Sequence, residues 1–262
     1  MTLKYSLPLL AILVANSAYA DDEFDYSAAP SASGADKQDK TWKGEAELGI
    51  LVTTGNSEAT NINGKLNIVH NMDKWRNTYL LQSLYTKSDD ETTAEQYSGA
   101  AQGDYKFNDK EFWYIRGAYE KDRFSGYNYS SSVTSGYGSR VWQTEDGSFL
   151  ELSAGLGYRS NEVDKDSDDY EEGDESDRGV ITRLAGKFEY DISKTAIFRQ
   201  ELSTEVGLED GGSISKSITS LQANIIGSLA MKLSYTIQYS SQVPTDTEKT
   251  DTETSVTLLY SF

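Results

Sequence analysis

From Trp42 to Phe262 the chain alternates apolar and polar positions with a period of two, in long stretches separated by short runs of Asp, Gly, Ser and Lys. That is the period of an extended strand, whose successive side chains point to opposite faces. The pattern predicts twelve strands, near 42–54, 58–71, 75–87, 94–107, 111–122, 129–142, 148–160, 179–191, 196–208, 215–228, 231–243 and 251–262. They exceed the soluble average of about five or six residues and suit membrane strands of about 9 to 11 residues with their ends. Pro8, Pro30 and Pro244 all lie outside them, as a hydrogen-bonded ladder requires.

Strand parity separates a membrane barrel from a soluble sandwich. Arg or Lys facing lipid at mid-membrane costs roughly 2 to 4 kcal/mol, so one face of each strand must be free of charge. In the first strand Trp42, Gly44, Ala46, Leu48, Ile50 and Val52 form one face, and Lys43, Glu45 and Glu47 lie on the other. In the last, Val256, Leu258, Tyr260 and Phe262 oppose Glu253, Ser255, Thr257 and Ser261. Uncharged faces also run through Trp75, Tyr79, Leu81 and Tyr85, through Leu150, Leu152, Ala154, Leu156 and Tyr158, and through Met231, Leu233, Tyr235, Ile237, Tyr239 and Val243. A soluble sandwich has no reason to keep its solvent face apolar and its core charged. The fold class expected is all-β: a closed antiparallel transmembrane β-barrel of about twelve strands, with short periplasmic turns and longer extracellular loops.

Tight turns are expected near Asp73/Lys74, Asn108 to Lys110, Asp146/Gly147, Ser193/Lys194 and Ala230. They mark the periplasmic side, and an even strand count returns the C-terminus to it. Trp42, Trp75, Trp113 and Trp142 then all sit at periplasmic strand ends, the level of an interfacial aromatic belt. Parity turns the first three outward and Trp142 inward.

Composition alone, with 262 residues, a net charge of -18 and 37% hydrophobic residues, suggests an acidic soluble protein. The N-terminus changes that picture. Lys4, the apolar run Leu7 to Ala15, and Ala18-Tyr19-Ala20 have the order of a signal peptide over residues 1–20, cut near Ala20. The run is shorter than the roughly 20 residues a spanning helix needs. Residues 21–41 are polar and aperiodic, a flexible periplasmic leader, and 42–262 form the barrel. The absence of cysteine excludes disulfides, thiolate metal sites and a lipid-modified N-terminus. The acidity argues against a nucleic-acid partner.

The strongest local arrangement of charge is the hairpin around Ser193 to Thr195. One register there sets Glu189 opposite Arg199, Lys187 opposite Glu201 and Arg183 opposite Glu205, with Tyr190 against Phe198 on the lipid side. Such a ladder either satisfies lumenal charge or forms a constriction that selects ions. Other inward charges are mixed in sign: Lys65, Arg76, Arg116, Arg140, Arg159 and Lys216 against Glu120, Asp122 and Glu151. Twelve strands enclose less space than an open porin, so long side chains can nearly fill the lumen.

The run Asp164, Asp166, Asp168, Asp169, Glu171, Glu172, Asp174, Glu175 and Asp177 falls on an extracellular loop without EF-hand spacing. It reads as a solvated loop, with weak divalent-cation binding as the alternative. His70, the single histidine, lies near a periplasmic turn on the lipid-facing parity and cannot assemble a Ser-His-acid hydrolase. No catalytic residue, cofactor or metal site is therefore expected.

Three stretches carry a resemblance: WKGEAELGILVTTGNSEATNINGKLNI from Trp42, FWYIRGAYEKDRFSGYNY over 112–129, and SAGLGY over 153–158. Thr54-Gly55-Asn56-Ser57, Asp122-Arg123-Phe124 and Gly155-Leu156-Gly157-Tyr158 are their most distinctive parts. Together they resemble the salt-induced outer membrane protein family. The resemblance implies a Gram-negative outer-membrane barrel and a link to salt or osmotic conditions, with no substrate and no catalytic residues. Tyr260 and Phe262 match a C-terminal assembly signal, although Thr257 stands where such signals often have glycine. The partners expected are outer-membrane lipid, lipopolysaccharide and the barrel assembly machinery. Two functions compete: a narrow channel for ions or small solutes, and a non-conducting structural or stress-related barrel with a charge-plugged lumen. A lipid-modifying enzyme stands behind both.

Overall fold

The computed structural model describes residues 41–53, 59–88, 91–123, 127–163, 177–208, 211–243 and 248–262. The proposed signal peptide and most of the leader, the Thr54 to Ser57 turn, and the acidic residues Asp164 to Glu175 lie outside these residues. Twelve antiparallel strands form one closed barrel: β1 (Trp42–Thr53), β2 (Ala59–Asn71), β3 (Trp75–Ser88), β4 (Glu91–Lys106), β5 (Glu111–Asp122), β6 (Tyr127–Gln143), β7 (Phe149–Val163), β8 (Asp177–Ser193), β9 (Ala196–Gly207), β10 (Ser213–Ile226), β11 (Leu229–Ser240) and β12 (Thr250–Ser261). Each strand pairs with its sequence neighbours, and β1 closes on β12 from Glu45 opposite Ser261 to Leu48 opposite Leu258. Phe262 extends that seam by exchanging backbone hydrogen bonds with Gly44, at 3.0 and 3.1 Å. Its ring covers the space that a Cβ at Gly44 would need.

Local chemistry explains the tight turns. Asn108 Oδ1 accepts the backbone N–H groups of Lys110 and Glu111 at 2.8 and 2.9 Å, an Asx turn before β5. Gly147 (φ 107°) and Gly227 (φ 54°) take backbone conformations that side chains disfavour.

The polarity is inside out, as parity predicts. Leu48, Leu81 and Val133 are 54%, 59% and 61% exposed, whereas Glu45 and Arg199 are 3% and 5% exposed. An apolar outer wall around a closed ladder is the arrangement that lipid accepts. At the edge that carries the tight turns Trp42 stacks on His70, with ring centroids 3.9 Å apart and planes 5° off parallel. His70 is thus an outer-wall residue.

Three expectations need correction. Trp142 faces outward, stacked on Phe188 at 6.0 Å, because the ladder slips at Val141: Arg140 pairs with Glu151 and Trp142 with Leu150. This bulge inserts a residue and reverses parity beyond it, so all four tryptophans join the outer belt. The last tight turn is at Gly227 and Ser228, not Ala230, where the glycine supplies the positive φ. Consequently β11 starts earlier and ends at Ser240, so Val243 is not part of its outer face.

Candidate functional site

Every strand contributes its inward side chains to the lumen, and the end of that lumen beside the tight turns is filled. Val69, Phe112, Phe149, Ile197, Ala230 and Leu259, from β2, β5, β7, β9, β11 and β12, are all buried at inward positions near that end. Phe112 fits because a side chain at Gly138 on β6 would overlap its ring, and Tyr114 reaches the equally bare Gly155 on β7. The glycine-rich inner wall of β6 and β7 thus receives the aromatics of β5. Arginines cap the rings: Arg76 stands 4.9 Å over Phe112 and Arg140 stands 4.1 Å over Phe149.

Two arginine-centred braces cross the lumen beside these rings. Arg76 on β3 donates Nε–H to Asp104 Oδ2 at 2.5 Å, and its two terminal nitrogens reach Glu151 on β7 at 3.3 and 3.2 Å. Arg140 meets the same Glu151 at 3.6 Å. The contact spans the chord from β3 to β7, with β4, β5 and β6 between them on the wall. In the second brace Arg199 on β9 donates to Glu189 at 2.5 Å, to Gln222 at 3.1 Å and to Glu45 on β1 at 3.3 Å. Beside it Lys232 Nζ and Thr257 Oγ1 donate to the two oxygens of Glu47, at 2.8 and 3.1 Å. A guanidinium's planar fork suits this use, since it meets several acceptors at once and offsets the cost of burying its charge.

Alongside and beyond the braces lies a cavity of about 410 Å³. Lys65, Arg76, Arg116, Arg140, Arg183, Lys187 and Lys216 line it, against Glu120, Glu151, Glu201 and Glu205. The cavity wall therefore carries an excess of three positive charges in a chain whose net charge is -18. Hydroxyls of Ser98, Ser130, Ser132, Ser153 and Ser203 fill much of the remaining wall.

The hairpin ladder has the register read from the sequence: Glu189 opposite Arg199, Lys187 opposite Glu201, Arg183 opposite Glu205, and Tyr190 opposite Phe198 on the outer face. Its members do different things. Arg199 and Glu189 belong to the second brace, and Arg183 lies 3.7 Å from Glu205. Lys187 Nζ sits 5.8 Å from the Phe149 ring. Asp177, the last residue of the acidic run, opens β8 opposite Asn161. Tyr260 and Phe262 face outward, their rings 6.2 Å apart, while Thr257 points into the lumen toward Glu47. Among the described residues no three His, Asp or Glu side chains gather in a way that could hold a metal ion. Sequence reasoning missed the apolar floor and both cross-lumen contacts. Phe112 and Tyr114 shared the charged parity of Arg116, which was the available signal.

Residues 46–262 match the family profile described as "Protein of unknown function, DUF481". The Escherichia coli K12 protein titled "Uncharacterized protein YdiY" is 24% identical over 229 residues, covering 85% of this chain and 84% of its own length. Among solved structures, the translocator domain of the autotransporter NalP from Neisseria meningitidis aligns with a TM-score of 0.49 at 11% identity, covering 87% of this chain and 91% of that one. The COG4313 outer membrane channel from Pseudomonas putida F1 aligns with a TM-score of 0.46 at 10% identity, covering 84% and 94%. The KdgM porin in complex with disordered oligogalacturonate aligns at 0.41 and 15% identity, covering 84% and 99%.

Proposed function

We start from a chain that belongs to the DUF481 family of proteins of unknown function, and we propose that it is a narrow, anion-preferring channel of the outer membrane, restricted at its periplasmic end. The observation that carries this is the cavity wall, where seven cations face four carboxylates. In a confined, poorly screened lumen such an imbalance raises the local concentration of anions and repels cations. The acidic residues that dominate the whole chain do not set the sign of the path. The resemblance to the salt-induced outer membrane protein family adds an osmotic role, in which a restricted anion path helps the envelope adjust to changing salt.

The braces favour a second reading, a barrel that conducts nothing and serves as a structural element. Planar-bilayer recording of the refolded protein separates the two. A channel gives a small single-channel conductance and, in a KCl gradient, a reversal potential displaced toward chloride. Silence across a range of salt concentrations leaves the structural reading, and a reversal potential displaced toward potassium refutes anion preference.

A further inference from the structure

Arg199 and Arg116 both point into the lumen, but only one of them is satisfied there. Arg199 has Glu45, Glu189 and Gln222 within hydrogen-bonding distance. Arg116, at the centre of β5, lines the cavity and makes no hydrogen bond or ion pair with any described residue. Its electrostatic neighbours are Arg183, which repels it, and Glu205 and then Tyr114, which attract it. Glu205 is already engaged, lying 3.7 Å from Arg183 and accepting a hydrogen bond from Ser132 at 3.2 Å. One carboxylate therefore serves two guanidiniums. Between β5 and β8 the inner wall is made of β6 and β7, whose Ser130, Ser132 and Ser153 line the same cavity as the two arginines.

We infer that Arg116 and Arg183 form a binding site for a small organic anion bearing a carboxylate or phosphate group. The site rests on the anion-preferring lumen proposed above and adds a saturable stop within it. A guanidinium fork matches a carboxylate or phosphate with two parallel N–H donors, whereas spherical chloride cannot use that geometry. Arg116 is only half-buried, but a guanidinium in a confined lumen without an anionic partner of its own has lost part of its hydration, and an oxyanion bridging the two arginines supplies the acceptors that Glu205 cannot. The cavity, about 410 Å³, is within the usual size of small-ligand sites. Ser153 offers a further hydroxyl donor from the same wall.

The test uses the refolded full-length barrel with potassium succinate and potassium phosphate as probes, read by thermal stability in detergent micelles and by block of chloride current. Both probes should raise the unfolding temperature saturably beyond an equal ionic strength of KCl. Arg116→Gln should weaken that binding at least about tenfold, as loss of a charge-assisted contact does, while the rim control Arg123→Gln keeps it. Arg116→Met should also lose binding yet fold at least as stably as the wild type, since the charge it removes has no partner of its own in the half-desolvated lumen. A structural role for Arg116 would instead lower stability and leave binding unchanged. Binding without conductance would retain the site and remove the channel. Conductance without saturable stabilisation or block by either probe would remove the site and leave the channel.

Discussion

Arg199 and Arg123 each hold a glutamate at 3.3 Å, Glu45 and Glu95 respectively, and the two contacts have little else in common. The Arg199 and Glu45 side chains are 6% and 4% exposed, deep in the lower lumen, while those of Arg123 and Glu95 are 66% and 31% exposed at the outer rim. Equal distances thus conceal opposite dependence on solvent: the inner charges have given up water and rely on one another, and the outer ones have not. The largest expected effect follows. Arg199→Ala leaves Glu45 and Glu189 buried together without their cation and should cost about 3 to 5 kcal/mol, measured by urea unfolding of the barrel in lipid or detergent. It should also widen the lower lumen and raise single-channel conductance. A loss below about 1 kcal/mol would mean that water reaches the brace and that the two regions are alike after all. Removing the carboxylates together with the arginine, as Glu45→Gln, Glu189→Gln and Arg199→Met, should recover most of the loss, because the cost lies in the unpaired charge.

The lower lumen differs from the rim in packing as well. Phe112 lies where a side chain at Gly138 would go, so Gly138→Leu forces the ring out of the floor. Overpacking of this kind costs about 1 to 3 kcal/mol. Combining Gly138→Leu with Phe112→Ala should restore part of that loss, and the coupling in the double-mutant cycle measures how far the two positions share one space. Additive losses would show that the floor adjusts freely and that its closure does not depend on this fit.

The same contrast explains what could be read from the sequence. Strand positions, outward faces and the pairing of Glu189 with Arg199 were legible because they are local: a short turn at Lys194 and Thr195 fixes the register, and counting does the rest. The contact of Arg199 with Glu45 was not, since β9 and β1 are neighbours only across the lumen, and the chord depends on strand number and stagger together. Arg76 with Glu151 is the same case. Trp142 was misplaced because a bulge at Val141 leaves no mark in an otherwise regular alternation. The aromatic floor left a fainter trace: Phe112 and Tyr114 stand on the charged parity of β5, and glycines at 136, 138, 155 and 157 stand on the inward parity of β6 and β7. Neither half of that pattern has meaning until the strands are laid side by side.

The smallest effect belongs to the rim. Arg123→Ala removes an exposed pair whose attraction is screened and whose long side chains lose freedom by meeting, so its cost should lie at about 0 to 1 kcal/mol. Salt supplies the sharper criterion. Raising ionic strength from about 0.01 M to 1 M shortens the screening length from about 30 Å to about 3 Å, which should erase whatever Arg123 contributes and leave the loss caused by Arg199→Ala nearly unchanged. Unfolding free energies of the wild type and both variants at the two salt concentrations make the comparison directly. If the Arg199→Ala loss shrank with salt in parallel with that of Arg123→Ala, ions would have access to the lower lumen, and the braces would be part of an open aqueous path.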